Sequence, residues 1–130
     1  MTDIVEAGLD FKVAKNGVVF AGTHLIIDVR DAQNLNNPKE IQYILEKAAI
    51  ASGATILHSY MHPFQPQGVS GVIVLAESHI SIHTWPEREY AAIDIFMCGD
   101  CDPYKAIPTI KKYFKSTNIT ITEHRRGVEA

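Results

Sequence analysis

The sequence predicts an α+β fold, a two-layer α/β sandwich with two helices packed on one face of a mostly antiparallel sheet. Three observations point there. The segments run β-α-β-β-β-α-β, residues 38–52 carry a well-marked amphipathic helix, and residues 69–76 form an almost wholly apolar, β-branched run. The 130 residues suit a single domain spanning 1–130, long enough to bury roughly two-thirds of its unfolded surface in one core.

Each element has a local reason. Asn16-Gly17 between short apolar-leaning runs signals a hairpin over 11–20. Residues 22–30 read as a strand with Leu25, Ile27 and Val29 on one face. The helix over 38–52 has Asn37 as N-cap, Pro38 at its first position and Glu40 in a capping-box-like place. Its apolar stripe is Ile41, Ile44, Leu45, Ala48 and Ala49, and Gly53 ends it. An extended stretch at 54–61 leads into a loop rich in breakers at 61–68. Val69 to Ala76 has the composition of a buried strand. Two more strands, 79–84 and 90–97, flank the turn at Trp85-Pro86-Glu87. Asp102 caps a second helix starting at Pro103, with Ile107, Ile110 and Phe114 inward, and 119–123 forms the last strand.

Composition excludes several classes. The chain is 46% hydrophobic and 21% charged, as in soluble globular proteins. A formal net charge of −3 offers no electrostatic basis for binding nucleic acid or an anionic membrane. No apolar run approaches the ~20 residues that cross a bilayer. The acidic start, Met1-Thr2-Asp3-Ile4-Val5-Glu6, lacks the features of a signal peptide. Two cysteines, Cys98 and Cys101, are too few and too close to staple a secreted domain, so the expected compartment is the reducing cytoplasm.

Chemistry concentrates in Glu77-Ser78-His79-Ile80-Ser81-Ile82-His83-Thr84-Trp85-Pro86-Glu87. Burying such groups costs free energy unless they are hydrogen-bonded, and a strand with a polar outer face is the plain explanation. Zinc is the first functional alternative, because His79 and His83 are spaced i, i+4. On a strand, however, those imidazoles stand about 13 Å apart, too far to share an ion, and His58 and His62 meet the same objection; no metal is expected. Cys98-Gly99-Asp100-Cys101 has the spacing of a dithiol redox site, but the following helix starts after both sulfurs, where its dipole does not activate the first.

The same segment, with Pro66-Gln67-Gly68-Val69-Ser70-Gly71-Val72 before it and Asp94-Ile95-Phe96-Met97-Cys98-Gly99 after it, closely resembles the bacterial and archaeal S-adenosylmethionine decarboxylases. The resemblance covers roughly residues 22–124, including Gly22-Thr23-His24-Leu25 and a tail at Glu123-His124-Arg125-Arg126-Gly127. It implies a precursor that cuts itself between Glu77 and Ser78, leaving chains 1–77 and 78–130 and a pyruvoyl group made from Ser78. Ser78 is the nucleophile, His83 the base in the elimination, and Ser70 the group assisting processing. The pyruvoyl ketone takes up the substrate amine as a Schiff base and drains electrons as carbon dioxide leaves, with no pyridoxal phosphate. Cys98 corresponds to the proton donor, Phe64 and Trp85 to aromatics that stack on the adenine, and Glu87 to the carboxylate on the ribose hydroxyls. The family also implies a homodimer with active sites drawn from both subunits, serving spermidine and other polyamine synthesis. His79 and Cys101 carry no assigned role.

Two segments depart from the family pattern. Asp28 stands where many members have Glu, in a stretch lacking the usual aromatic-glycine pair, and Glu87-Arg88-Glu89 lacks a common glycine. They keep L-arginine or L-ornithine decarboxylation open as the alternative on the same scaffold, with an unprocessed, non-catalytic partner subunit behind both. The spacing poses a geometric problem as well. Ser78 and His83 lie an odd number of residues apart, so an unbroken strand points them to opposite faces; cleavage or a kink must intervene.

Overall fold

A computed structural model describes residues 12–14 and 16–129. A short hairpin, β1 (Lys12–Val13) and β2 (Val19–Phe20), turns at Asn16-Gly17, with Gly17 at φ 81°, as the sequence predicts. The part of the expected hairpin at residues 11 and 15 lies outside the described residues. The remaining strands are β3 (Gly22–Arg30), β4 (Ile56–Pro63), β5 (Val69–Leu75), β6 (Ser78–Trp85), β7 (Tyr90–Cys98) and β8 (Asn118–Arg126). They form one six-stranded sheet in the order β4-β5-β6-β7-β3-β8, antiparallel at every pairing.

Helices α1 (Pro38–Ala51) and α2 (Ile107–Tyr113) supply the second layer, giving the predicted α+β sandwich. The Asn37 side chain accepts hydrogen bonds from the Lys39 and Glu40 amides, satisfying two otherwise orphaned donors at the start of α1. The predicted stripe of α1 is buried as expected, and it shares one core with Ile107 and Ile110 of α2, with Phe114 at the end of α2, and with the inward residues of the sheet. Leu25, Ile27 and Val29 on β3, Ile73 on β5, Ile80 and Ile82 on β6, and Ile93, Ile95 and Met97 on β7 complete this core. Each such side chain fully removed from water stabilises the fold by roughly 1.5–3 kcal/mol.

Three expectations require correction. The extended stretch at 54–61 is a full edge strand, Ile56–Pro63, so four strands lie between the helices rather than three. Its alternation was hidden because an edge strand exposes both faces, leaving His58, Ser59, Tyr60 and His62 with little apolar contrast. The breaker loop therefore begins after Pro63 rather than at 61. The second helix does not run from Pro103 in α form. Asp102 caps a 3₁₀ turn, Pro103–Ala106, and the α-helix starts at Ile107, where Pro108 again suits an early helical position. The last strand extends three residues past 123 to Arg126.

Among the described residues, no helix covers the other face of the sheet. Strand alternation places His58, Tyr60 and His62, Ser70, Val72 and Val74, His79, Ser81, His83 and Trp85, and Asp94, Phe96 and Cys98 on this open side. Every residue of chemical interest sits here or at its rim.

Candidate active site

The β5–β6 hairpin turns through Ala76-Glu77, pairing Leu75 with Ser78. Ser78 has a φ of 145°, a backbone conformation that L residues with a side chain rarely adopt. This is the kink that the strand parity demands. It brings Ser78 Oγ to 3.2 Å from Cys98 Sγ, on the open side, instead of pointing it into the core with Ile80. The Glu77 carbonyl ahead of it accepts a hydrogen bond from the Cys98 amide at 3.0 Å. The Glu77 carboxylate is turned away and accepts from the Thr55 amide at 2.9 Å, which anchors the turn to the chain entering β4.

A second cluster lies at the opposite end of β6. Ser70 Oγ and His83 Nδ1 are 2.7 Å apart, across a directly facing pair of β5 and β6. Both line a cleft of about 240 Å³ with Phe64, Gln67, Gly68, Trp85 and Glu87. The wall is held by buried Thr84, whose Oγ1 accepts from the Val69 amide at 2.9 Å and donates to the Leu35 carbonyl at 2.7 Å. Gly68 has a φ of 103°, and a Cβ there would lie 3.1 Å from the Thr84 carbonyl oxygen, so this corner suits glycine.

The sequence-predicted residues thus fall into two groups, Glu77, Ser78 and Cys98 in one, Ser70, His83, Phe64, Trp85 and Glu87 in the other. Within one chain they do not meet. Five residues of strand separate Ser78 from His83, about 16 Å at the usual rise.

Between the clusters lies a polar network that sequence reasoning missed. Asp94 Oδ2 is 2.7 Å from His24 Nε2 and 3.0 Å from His79 Nε2, while Oδ1 accepts from the Ser81 hydroxyl. Burial alone raises the Asp94 pKa, but the hydrogen bonds from Ser81, His24 and His79 outweigh it and hold the carboxyl below its ordinary range. Two imidazoles and a carboxylate, with ligand atoms within 4.8 Å of one another, also match a metal donor set. The tautomer argues against that use. Arg126 Nη1 lies 3.1 Å from His24 Nδ1, and a guanidinium only donates, so neutral His24 carries its proton on Nε2 and gives it to Asp94. Placing a metal on Nε2 would require the proton on Nδ1, against the guanidinium. The signal available beforehand was parity: Asp94 and Phe96 alternate with Ile93, Ile95 and Met97, so a carboxylate had to sit on the open face. Its partner from residue 24 is separated by 70 positions and could not be read from spacing.

A family model described as S-adenosylmethionine decarboxylase matches residues 23–127. An S-adenosylmethionine decarboxylase proenzyme of Fervidobacterium nodosum is 49% identical over 109 residues, covering 82% of this chain and 80% of that protein. The S-adenosylmethionine decarboxylase proenzyme of Thermotoga petrophila is also 49% identical over 109 residues, covering 82% of this chain and 84% of its own. Among solved structures, the crystal structure of the adenosylmethionine decarboxylase from Aquifex aeolicus VF5 aligns with a TM-score of 0.77 at 34% identity, over 85% of this chain and 94% of that one. Fold, motif and relatives agree, and the chain belongs to the S-adenosylmethionine decarboxylase family.

Proposed function

We propose that this chain is the precursor of a pyruvoyl-dependent S-adenosylmethionine decarboxylase, matured by its own cleavage at Glu77-Ser78 into chains 1–77 and 78–130. The observation that carries the reading is the strained Ser78, its hydroxyl turned onto the Cys98 thiol and the preceding carbonyl held by the Cys98 amide. Attack by Ser78 Oγ on the Glu77 carbonyl carbon converts the amide to an ester. During that attack negative charge develops on the Glu77 oxygen, where the Cys98 N–H already donates, and it collapses as the Ser78 nitrogen leaves as an amine carrying the hydroxyl proton. Loss of the Ser78 α-proton expels the Glu77 carboxylate by β-elimination and opens the chain. The dehydroalanine end left behind hydrolyses, releasing ammonia.

The surroundings of Ser78 fit the resulting group: a three-carbon end at the start of β6, beside a thiol and next to a hydrogen-bonding amide. The pyruvoyl group supplies an electrophilic ketone conjugated to an amide, an electron sink for decarboxylation. Cys98, whose thiol lies against Ser78, supplies the proton that returns to the substrate α-carbon. Phe64 and Trp85 stack on the adenine, and Glu87 accepts from the ribose hydroxyls.

His83 and Ser70 serve the elimination from a second copy. The 240 Å³ cleft is smaller than the ~300 Å³ at which small-molecule sites begin, and it lies about 16 Å from the nucleophile. Packing two open sheet faces together would bring Ser78 and Cys98 of one subunit against Ser70 and His83 of the other. It would also cover Ile26, Tyr60, Phe64, Val74 and Trp85, all exposed in the single chain. Ser70 fixes the His83 ring through Nδ1, leaving Nε2 to take the proton.

Among the described residues no helix is long and apolar enough to cross a membrane; the two closely spaced cysteines, too few to staple a secreted domain, support a cytoplasmic setting. The product supplies aminopropyl groups for polyamine synthesis. The aromatic cleft and the named relatives favour the adenosyl substrate over arginine or ornithine. Intact mass tests the maturation: two fragments divided at residue 77, the second with a blocked, ketone-bearing end. A 14.4 kDa species that never divides would instead identify a non-catalytic partner subunit. Carbon dioxide release from S-adenosylmethionine, compared with arginine and ornithine, tests the substrate.

A further inference from the structure

Tyr90 and Asp28 lie outside the residues assigned above, yet they contact the cleft through Trp85. The Tyr90 ring stacks on the indole with centroids 5.3 Å apart and planes 24° from parallel, across the pair that closes the β6–β7 hairpin. The Tyr90 hydroxyl donates to Asp28 Oδ1 at 2.5 Å. Asp28 is held in turn by Arg30, whose guanidinium lies 3.5 Å from Oδ2 and donates to Thr120 at 2.8 Å. His83 touches the same indole from its other neighbour position, with ring centroids 6.3 Å apart.

We infer that Tyr90 is a positioning residue for the nucleoside base: anchored by Asp28, it covers one face of Trp85 and leaves the other as the stacking surface of the cleft. The inference deepens the proposed function and rests on its assignment of Trp85 to adenine. Trp85 is 40% exposed, at the end of a strand, and held by a 3₁₀ turn rather than by core packing. Without a partner, such a side chain explores several rotamers, and a ligand must bear the cost of ordering it. An offset-stacked tyrosine fixes the ring beforehand, provided that its own position is fixed. The hydrogen bond to Asp28, then burial and the Asp28 charge, push the Tyr90 phenol above its ordinary pKa, so it remains a neutral donor throughout the physiological range. Asp28 takes its function from this contact. A carboxylate at that position anchors the aromatic backing of the cleft, two strands away from it.

Trp85 is the sole tryptophan, so its fluorescence reports the site directly. Adenosine is titrated into the processed enzyme, and KM and kcat are measured for S-adenosylmethionine. Tyr90→Phe keeps the ring and removes the anchor. It is expected to weaken adenosine quenching and raise KM by about 3- to 10-fold, with kcat within about twofold and fragments formed normally. Asp28→Ala should match it, Asp28→Asn should restore most of the affinity because its amide oxygen still accepts, and the Asp28→Ala/Tyr90→Phe pair should be no worse than either change alone. Unchanged KM and quenching in Tyr90→Phe would overturn the inference even if Asp28→Ala failed to fold. Adenosine that leaves wild-type fluorescence unaltered, or Trp85→Leu with an unchanged KM, would instead remove Trp85 from the substrate site.

Discussion

Ser78 Oγ and Cys98 Sγ stand 3.2 Å apart, so the residue proposed to make the reactive group and the residue proposed to return the proton are neighbours in the uncleaved chain. Their tasks nonetheless separate by mutation. Ser78→Ala removes the only atom that can attack the Glu77 carbonyl at this position and should leave the chain intact by mass. Cys98→Ala keeps the backbone amide that donates to that carbonyl, so cleavage should persist. Decarboxylation should fall by about 10²-fold or more, the usual worth of a general acid. Both are read by intact mass and carbon dioxide release. Two normal fragments from Ser78→Ala would displace it as nucleophile.

The separation of Ser78 from His83 along β6 makes a second prediction about trans action. Neither Ser78→Ala nor His83→Ala should mature efficiently alone. Co-expressed, they form mixed dimers in which one site unites an intact Ser78 with an intact His83. Half of the composite sites in those dimers should then process, giving fragments that carry the His83→Ala mass. If each site were complete within one chain, mixing would change nothing.

Much of this arrangement was legible beforehand. The alternating, β-branched segment reads as a strand, on which His79 and His83 stand about 13 Å apart, and that spacing argued against a shared zinc ion. The Glu77-Ser78 junction and Cys98 came from a local motif, and the structure brings them into contact. Long-range matters were not legible. The β3–β7 pairing joins His24 to Asp94, and no local pattern encodes which strands become neighbours. The edge strand β4 escaped for the reason that makes it an edge: with both faces partly wet, its residues lose the apolar contrast that marks a strand. The parity conflict at Ser78 was visible, but only the φ of 145° shows that a kink resolves it.

Asp94 gives a pH signature to stability. Its folded-state pKa lies below the usual carboxylate value of about 3.9, so its contribution is complete above that value and fades as pH falls through the folded pKa. Asp94→Asn should therefore cost about 1–3 kcal/mol at pH 7, because His24 and His79 lose an ionised acceptor. The deficit relative to wild type should shrink below about pH 4 as the native carboxylate itself becomes protonated. Thermal or urea unfolding from pH 7 to pH 3 measures it. A deficit constant across that range would show that the network does not depend on the Asp94 charge.

Gly22 tests how tightly the Cys98 end of the sheet is built. It faces Cys98 across the β3–β7 ladder, and a Cβ added there would lie 2.4 Å from the Met97 carbonyl oxygen and 2.9 Å from the Phe96 ring. The ring can turn aside, but the carbonyl belongs to a strand hydrogen-bonded on both sides. Gly22→Ala must therefore push β3 away from β7 at the point where Cys98 meets Ser78. Overpacking of this kind costs typically about 1–3 kcal/mol, and the displacement falls on Cys98, the proposed proton donor. The variant should unfold at lower urea and decarboxylate more slowly than an equally destabilised core variant such as Ile110→Val, which sits on the buried face of α2 and leaves the Cys98 end undisturbed. Equal specific activity in the two folded variants would mean that the ladder yields without moving Cys98.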